Sequence, residues 1–125
     1  MLGRILTTRA NAHGGLSALI GVRFAPGQLT DDETIPAVTY QVISTPERDD
    51  VVEMYETRVQ FDCWGATYLA AKGVAEQVKA AFVGWTDKDG SPKVLFAKRA
   101  NEIDLYEPVT ARWRIIVDVQ FLNVE

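Results

Sequence analysis

Hydrophobic residues change their spacing midway through residues 55–82. Up to Trp64 they alternate by twos, so that Tyr55, Thr57, Val59, Phe61 and Cys63 fall on one side of an extended chain. Glu56, Arg58, Gln60 and Asp62 fall on the other side. From about Thr67 the steps become three and four: Ala71, Val74, Ala75, Val78 and Phe82 form one stripe of a helix over about 67–83. Lys72, Glu76 and Lys79 lie opposite that stripe. A strand with one face for a core therefore runs directly into an amphipathic helix.

The same reading extends along the chain. Residues up to Ile20 predict one helix, or two short ones broken at Gly14-Gly15, anchored by Leu2, Ile5, Leu6, Leu16, Leu19 and Ile20. Val22–Phe24 predicts a short strand ended by Ala25-Pro26-Gly27, and 28–36 a polar surface loop. Pro36 can open a strand but not occupy its middle, so Ala37–Ser44 is the next one. TPERDD at 45–50 is a charged loop or hairpin tip, and the long strand from Val51 or Val52 to Trp64 should pair antiparallel with 37–44 at the centre of a sheet. After the helix, 84–92 is a loop, Val94–Ile103 a less regular strand, and Ala111–Leu122 a cleanly alternating one. The fold class is α+β: one domain over 1–125, a sheet of four to five mostly antiparallel strands, with the N-terminal helical segment and the long helix on one face.

Composition sets limits on chemistry. At 125 residues, 47% hydrophobic and 24% charged, the chain suits one ordinary globular domain with a sizeable core. Its longest apolar runs fall short of the roughly 20 residues a membrane helix needs, so no membrane partner is expected. Arg4 and Arg9 interrupt the start, which argues against a secretory leader and for a cytoplasm. Net charge −4 and a pI near 5.0 argue against a grip on nucleic-acid phosphates. The single Cys63 has no partner for a disulfide and sits on the apolar strand face, as a small buried hydrophobe does.

Catalytic constellations are not found. His13 is the one histidine, followed by Gly14 and Gly15, and reads as a solvent-exposed residue at a helix break because the chain has no G-x-S-x-G elbow. Asp87-Lys88-Asp89-Gly90-Ser91 has its glycine at the wrong position for a calcium loop and reads as a turn. No zinc ligand set and no phosphate-binding glycine loop occurs, so no cofactor or metal is expected. The loop acids Asp31, Asp32 and Glu33 are most simply solvated surface.

Two surfaces remain as candidates. On the polar strand face Glu56, Arg58, Gln60 and Asp62, with Arg112, Arg114 and Asp118 across the sheet, form either a solvated face with cross-strand ion pairs or a protein interface. On the long helix Ala70, Gly73, Gln77, Ala80 and Gly84 make a row of mostly small residues against which the N-terminal helix or a neighbouring subunit can pack, or in which Gly73 is merely tolerated.

PAVTYQVIS (36–44), TRVQFDCWGATYLAAKGVAEQV (57–78) and DLYEPVTARWRIIVDVQF (104–121), in this order, resemble the small tail-completion (tail-terminator) proteins of long non-contractile-tailed bacteriophages, as does the opening LSALIGVRFAPGQL. The loops at 28–35 and 84–92 do not add to the match. The resemblance implies a structural virion protein, not an enzyme, that forms a ring, commonly a hexamer, on the head-proximal end of the tail tube. There it stops tube growth and meets the head connector. Implied partners are other copies of itself, the tail tube protein and the head-tail connector protein, with DNA passing through the ring without specific binding; the implied location is the virion, and the host cytoplasm during assembly. On this reading the tip residues Glu47, Arg48, Asp49 and Asp50 are candidates for contact with tube or neighbour, and the acidic loops suggest a neutral or acidic lumen. Two other readings stay open: another neck or head-completion protein of the virion, and a small α+β ligand-binding or enzyme domain.

Overall fold

The computed structural model describes residues 2–29, 33–44, 47–49 and 54–124, the side chains of 44 and 47–49 excepted. Helices α1 (Leu2–Ala12) and α2 (Gly14–Ile20) break at His13 rather than within the glycine pair. The reason is a cap. His13 has extended backbone, and its Nδ1 accepts the Leu16 N–H at 3.1 Å, satisfying a donor that the first turn of α2 leaves open.

Strands β1 (Phe24–Pro26), β2 (Ala37–Ser44), β3 (Glu47–Asp49) and β4 (Met54–Gly65) precede α3 (Tyr68–Phe82), and β5 (Lys93–Glu107) and β6 (Arg112–Val124) follow it. Their order is β1-β2-β4-β6-β5, with β3 beside β4. All pairings are antiparallel except β1 with β2. The centre of the sheet is thus β4, flanked by β2 and β6, rather than β2 and β4 together. The first strand begins at Phe24, not Val22, because Gly21 turns the chain with φ 61. Of the expected charged tip, Glu47–Asp49 is a strand paired with β4; Thr45, Pro46 and Asp50, and the expected strand start at 51–53, lie outside the described residues.

Thr67 caps α3, its Oγ1 accepting the Ala70 N–H at 3.1 Å. Gly65 makes the sharp passage from strand to helix possible: a Cβ there would stand 2.5 Å from the Ala71 nitrogen. The apolar stripe Ala71, Val74, Ala75, Val78 and Phe82 is buried against the inner face of the sheet, where Phe61 stacks on Phe82 at 4.8 Å and is ringed by Phe24, Tyr40 and Phe121. Burying each such ring contributes about 1.5–3 kcal/mol.

The lysines of α3 are not left to water. Lys79 reaches Glu102 of β5 at 2.8 Å, Lys72 pairs with Glu102 and with Asp104, and the Tyr68 hydroxyl donates to Asp104. Burial works against the Glu102 charge, but the hydrogen bonds from Lys72 and Lys79 outweigh it and hold its pKa down at about 2. This flank ties the helix to the outermost strand.

Candidate functional site

The face of the sheet turned away from the helices is set by register. Across from Glu56, Arg58, Gln60, Asp62 and Trp64 on β4 stand Leu122, Gln120, Asp118, Ile116 and Arg114 on β6. Beyond β6, Phe96, Lys98, Asn101, Ile103 and Leu105 of β5 share that face. The predicted polar row is brought together with Arg114 and Asp118 as the alternation implies. Arg58 Nη2 donates to Asp118 Oδ2 at 2.7 Å, Gln60 Nε2 to Asp62 Oδ1 at 3.1 Å, and Arg114 Nη1 lies 3.8 Å from Asp62 Oδ2. The Arg114 guanidinium also covers the Trp64 ring, whose Nε1 donates to Thr39 at 3.0 Å.

This face is not a uniformly wet row. The Arg58 side chain is 46% exposed, whereas Asp62 and Asp118 are 1% and 5% exposed. Arg112 is buried as well. Alternation tells which side of the sheet a residue takes; it does not tell that long neighbours on three adjoining strands will close over it. Burial raises the Asp62 pKa, opposed by the Gln60 hydrogen bond and Arg114 and reinforced by Asp118 and Glu107. A carboxylate whose folded pKa exceeds its unfolded one binds its proton more tightly when folded, so stability falls as pH rises through the interval between the two values. Asp62→Asn is therefore expected to flatten the pH dependence of stability just above the ordinary carboxylate range. Urea midpoints taken from pH 3 to 7 check this.

Glu47, Arg48 and Asp49 are placed on β3 by their backbone, and Asp50 lies outside the described residues. On α3, Ala70 and Ala80 are exposed, and a Cβ on Gly73 would meet nothing within 4 Å. The N-terminal segment meets that row at Gln77, against which Gly15 of α2 lies. For Gly73 the neighbouring-subunit alternative stands as a proposal.

Sequence alternation missed the apolar residues of this face. Phe96, Ile103 and Leu105 are exposed on β5, and Val109, in the turn after it, is 96% exposed. Register shifts between Val94 and Phe96 and between Arg99 and Asn101 change the parity of β5 twice. That is why the strand reads as irregular and as ending at Ile103, although it runs to Glu107.

A groove of about 470 Å³ lies elsewhere, between α1 and the 84–92 loop, with Arg4, Arg9, Trp85 and Asp87 along it. Arg9 is committed there: its Nε donates to the Ala81 carbonyl at 2.9 Å and its guanidinium lies over Trp85. His13 is not among its lining residues. Among the described residues no three potential metal ligands cluster, and no helix is long and apolar enough to cross a membrane. Cys63 is fully buried, and burial pushes its thiol pKa well up.

Residues 4–123 match the family described as Tail completion protein gp17. The chain belongs to that family. Membership makes it a structural protein of phage-type tails. Among solved structures, a chain from the virion of a native gene transfer agent particle has the same fold, with a TM-score of 0.74 at 14% identity over 94% of this chain and 90% of that one. Comparison with curated proteins gives no match. Most of the tail-completion chain, from α1 through β6, thus lies within the matched span.

Proposed function

We propose that this tail-completion protein forms a ring of six copies on the head-proximal end of a tail tube, where it stops growth of the tube and offers a surface to the head connector. The observation that carries the reading is the family match over residues 4–123. The outer sheet face supports it physically. The exposed Arg58 and Lys98, held at fixed register on a rigid sheet beside the half-buried Glu56, can set the orientation of one copy against another and disfavour misaligned contacts. A closed ring needs two different patches on each copy, which this two-sided domain supplies. Its place is the virion, as for the gene transfer agent chain of the same fold, and the host cytoplasm before assembly.

In this reading DNA passes through a lumen that is neutral or acidic, in keeping with the net charge of −4. The charged segment 47–50 contacts the tube or the neighbouring copy. Reversing the charges of Arg48, Asp49 and Asp50 together is expected to leave a folded protein that no longer completes tails. Complementation of a tail-completion mutant, scored by electron microscopy for head-joined particles, tests this; normal particles would contradict it. A neck or head-completion role is the second reading. It predicts that the protein copurifies with heads rather than with tails when the two are assembled separately.

A further inference from the structure

Charge is divided unevenly along the chain. Residues 1–29 hold Arg4, Arg9 and Arg23 and no acid, whereas residues 31–56 hold eight acids and the single cation Arg48; from residue 57 onward nine residues of each sign balance. The net −4 thus combines a basic N-terminal segment with a strongly acidic stretch. Arg4 and Arg9 of the basic segment line the groove of about 470 Å³ between α1 and the 84–92 loop. Arg4 is exposed, and neither arginine makes an ion pair among the described residues. The Ala81 carbonyl takes only the Nε of Arg9, which keeps its guanidinium over Trp85 and leaves its terminal nitrogens without an acceptor among the described residues. Asp87 is the one acid along the groove; its Oδ1 accepts the Asp89 N–H at 3.2 Å.

Two cations and one anion along a groove suit an occupant with the opposite pattern. The segment 47–50 has it, with Glu47, Asp49 and Asp50 as acids and Arg48 as its one cation. Lengths agree as well. From Arg4 to Ala12 the helical wall runs about 12 Å at roughly 1.5 Å per residue, and four extended residues cover about 13 Å at roughly 3.3 Å each. β3 supplies extended backbone over Glu47–Asp49, and pairing with Tyr55 and Met54 of β4 keeps it in the sheet, whereas the groove belongs to the helix layer. The other acidic run, 31–33, already has a cation near it, because Glu33 and Arg23 line the same cavity of about 310 Å³. We infer that segment 47–50 of one copy lies in the Arg4–Arg9 groove of the next, its carboxylates toward the two guanidiniums and Arg48 toward Asp87. Such a head-to-tail contact uses two different patches and closes into a ring when the rotation between copies permits. The inference rests on the ring reading and gives the segment a neighbouring copy, rather than the tube, as its partner.

A charge swap tests it. Arg4→Glu changes an exposed residue without an ion pair, so the monomer should keep its circular dichroism spectrum and melting temperature while its ring population on assembled tubes falls by about tenfold or more. Arg4→Gln, which removes the charge without reversing it, should give a smaller loss. Asp49→Arg alone should also lose rings, and Arg4→Glu with Asp49→Arg in one chain should regain them, since each altered groove then meets an altered tip. Rings formed by Arg4→Glu at the wild-type level would overturn the contact. So would a loss that Asp49→Arg leaves unrepaired, because the groove would then hold another acidic partner, such as the run 31–33 or the tube. Either result leaves the ring reading standing, whereas absence of rings from the wild-type protein on tubes would remove both.

Discussion

Replacing Phe61 by Ala is expected to lower stability by about 3–5 kcal/mol and the melting temperature by roughly 10 °C or more. Phe61 is fully buried on the central strand, and its ring is the common neighbour of Phe24, Tyr40, Phe82 and Phe121. Removing it takes away the contact through which β4 holds α3 and leaves a cavity that four rigid rings cannot collapse to fill. Phe96→Ala is the matched control, since Phe96 is 51% exposed and its loss removes little buried area. Urea unfolding of both proteins separates the outcomes. A Phe61→Ala midpoint close to that of Phe96→Ala would mean that the aromatic cluster is not the centre of the core.

Gly65→Ala is expected to be the second most damaging change, costing about 1–3 kcal/mol although it adds only a methyl group. The new Cβ would stand 2.5 Å from the backbone nitrogen of Ala71 and 2.9 Å from its Cα, so relief requires moving the first turn of α3 off the sheet rather than rotating a side chain. Gly73→Ala makes the opposite prediction on the same helix. Its Cβ meets nothing within 4 Å, and alanine favours a helix interior by about 1 kcal/mol. Thermal melts of the two variants should therefore move in opposite directions. A Gly65→Ala protein as stable as the parent would refute the close approach of strand and helix.

How much of this was legible in the sequence follows from where large apolar residues carry the pattern. The β4–α3 passage was readable because Val59, Phe61 and Cys63 keep a period of two and Ala71, Val74, Val78 and Phe82 a helical one, and each of these is buried. β2 was readable because Pro36 marks its start. β1 was harder: it is three residues long, contains Pro26 and is the one strand that pairs in parallel, so neither alternation nor hairpin logic applies to it. β5 hid its extent behind two register shifts.

The candidate interface was legible as a face but not as a surface. Parity put Arg58, Gln60, Asp62, Arg114 and Asp118 together, yet only the three-dimensional crowding of β2, β4 and β6 shows that Asp62 and Asp118 are shielded and Arg58 is not. The cap made by His13 was missed for a related reason, because histidine is outside the usual set of capping residues and only the geometry of its Nδ1 reveals the role. The apolar residues of β5 were obscured because the parity that assigns them to the outer face is reset at each bulge.

In the proposed function, copies of this two-sided domain close into a ring that ends a tail. Electron microscopy of tails assembled with and without the protein tests it most directly. Tubes of uniform length carrying one extra ring at a single end are expected when the protein is present, and tubes of indefinite length without that ring when it is omitted. Uniform, head-competent tails assembled in its absence would contradict it.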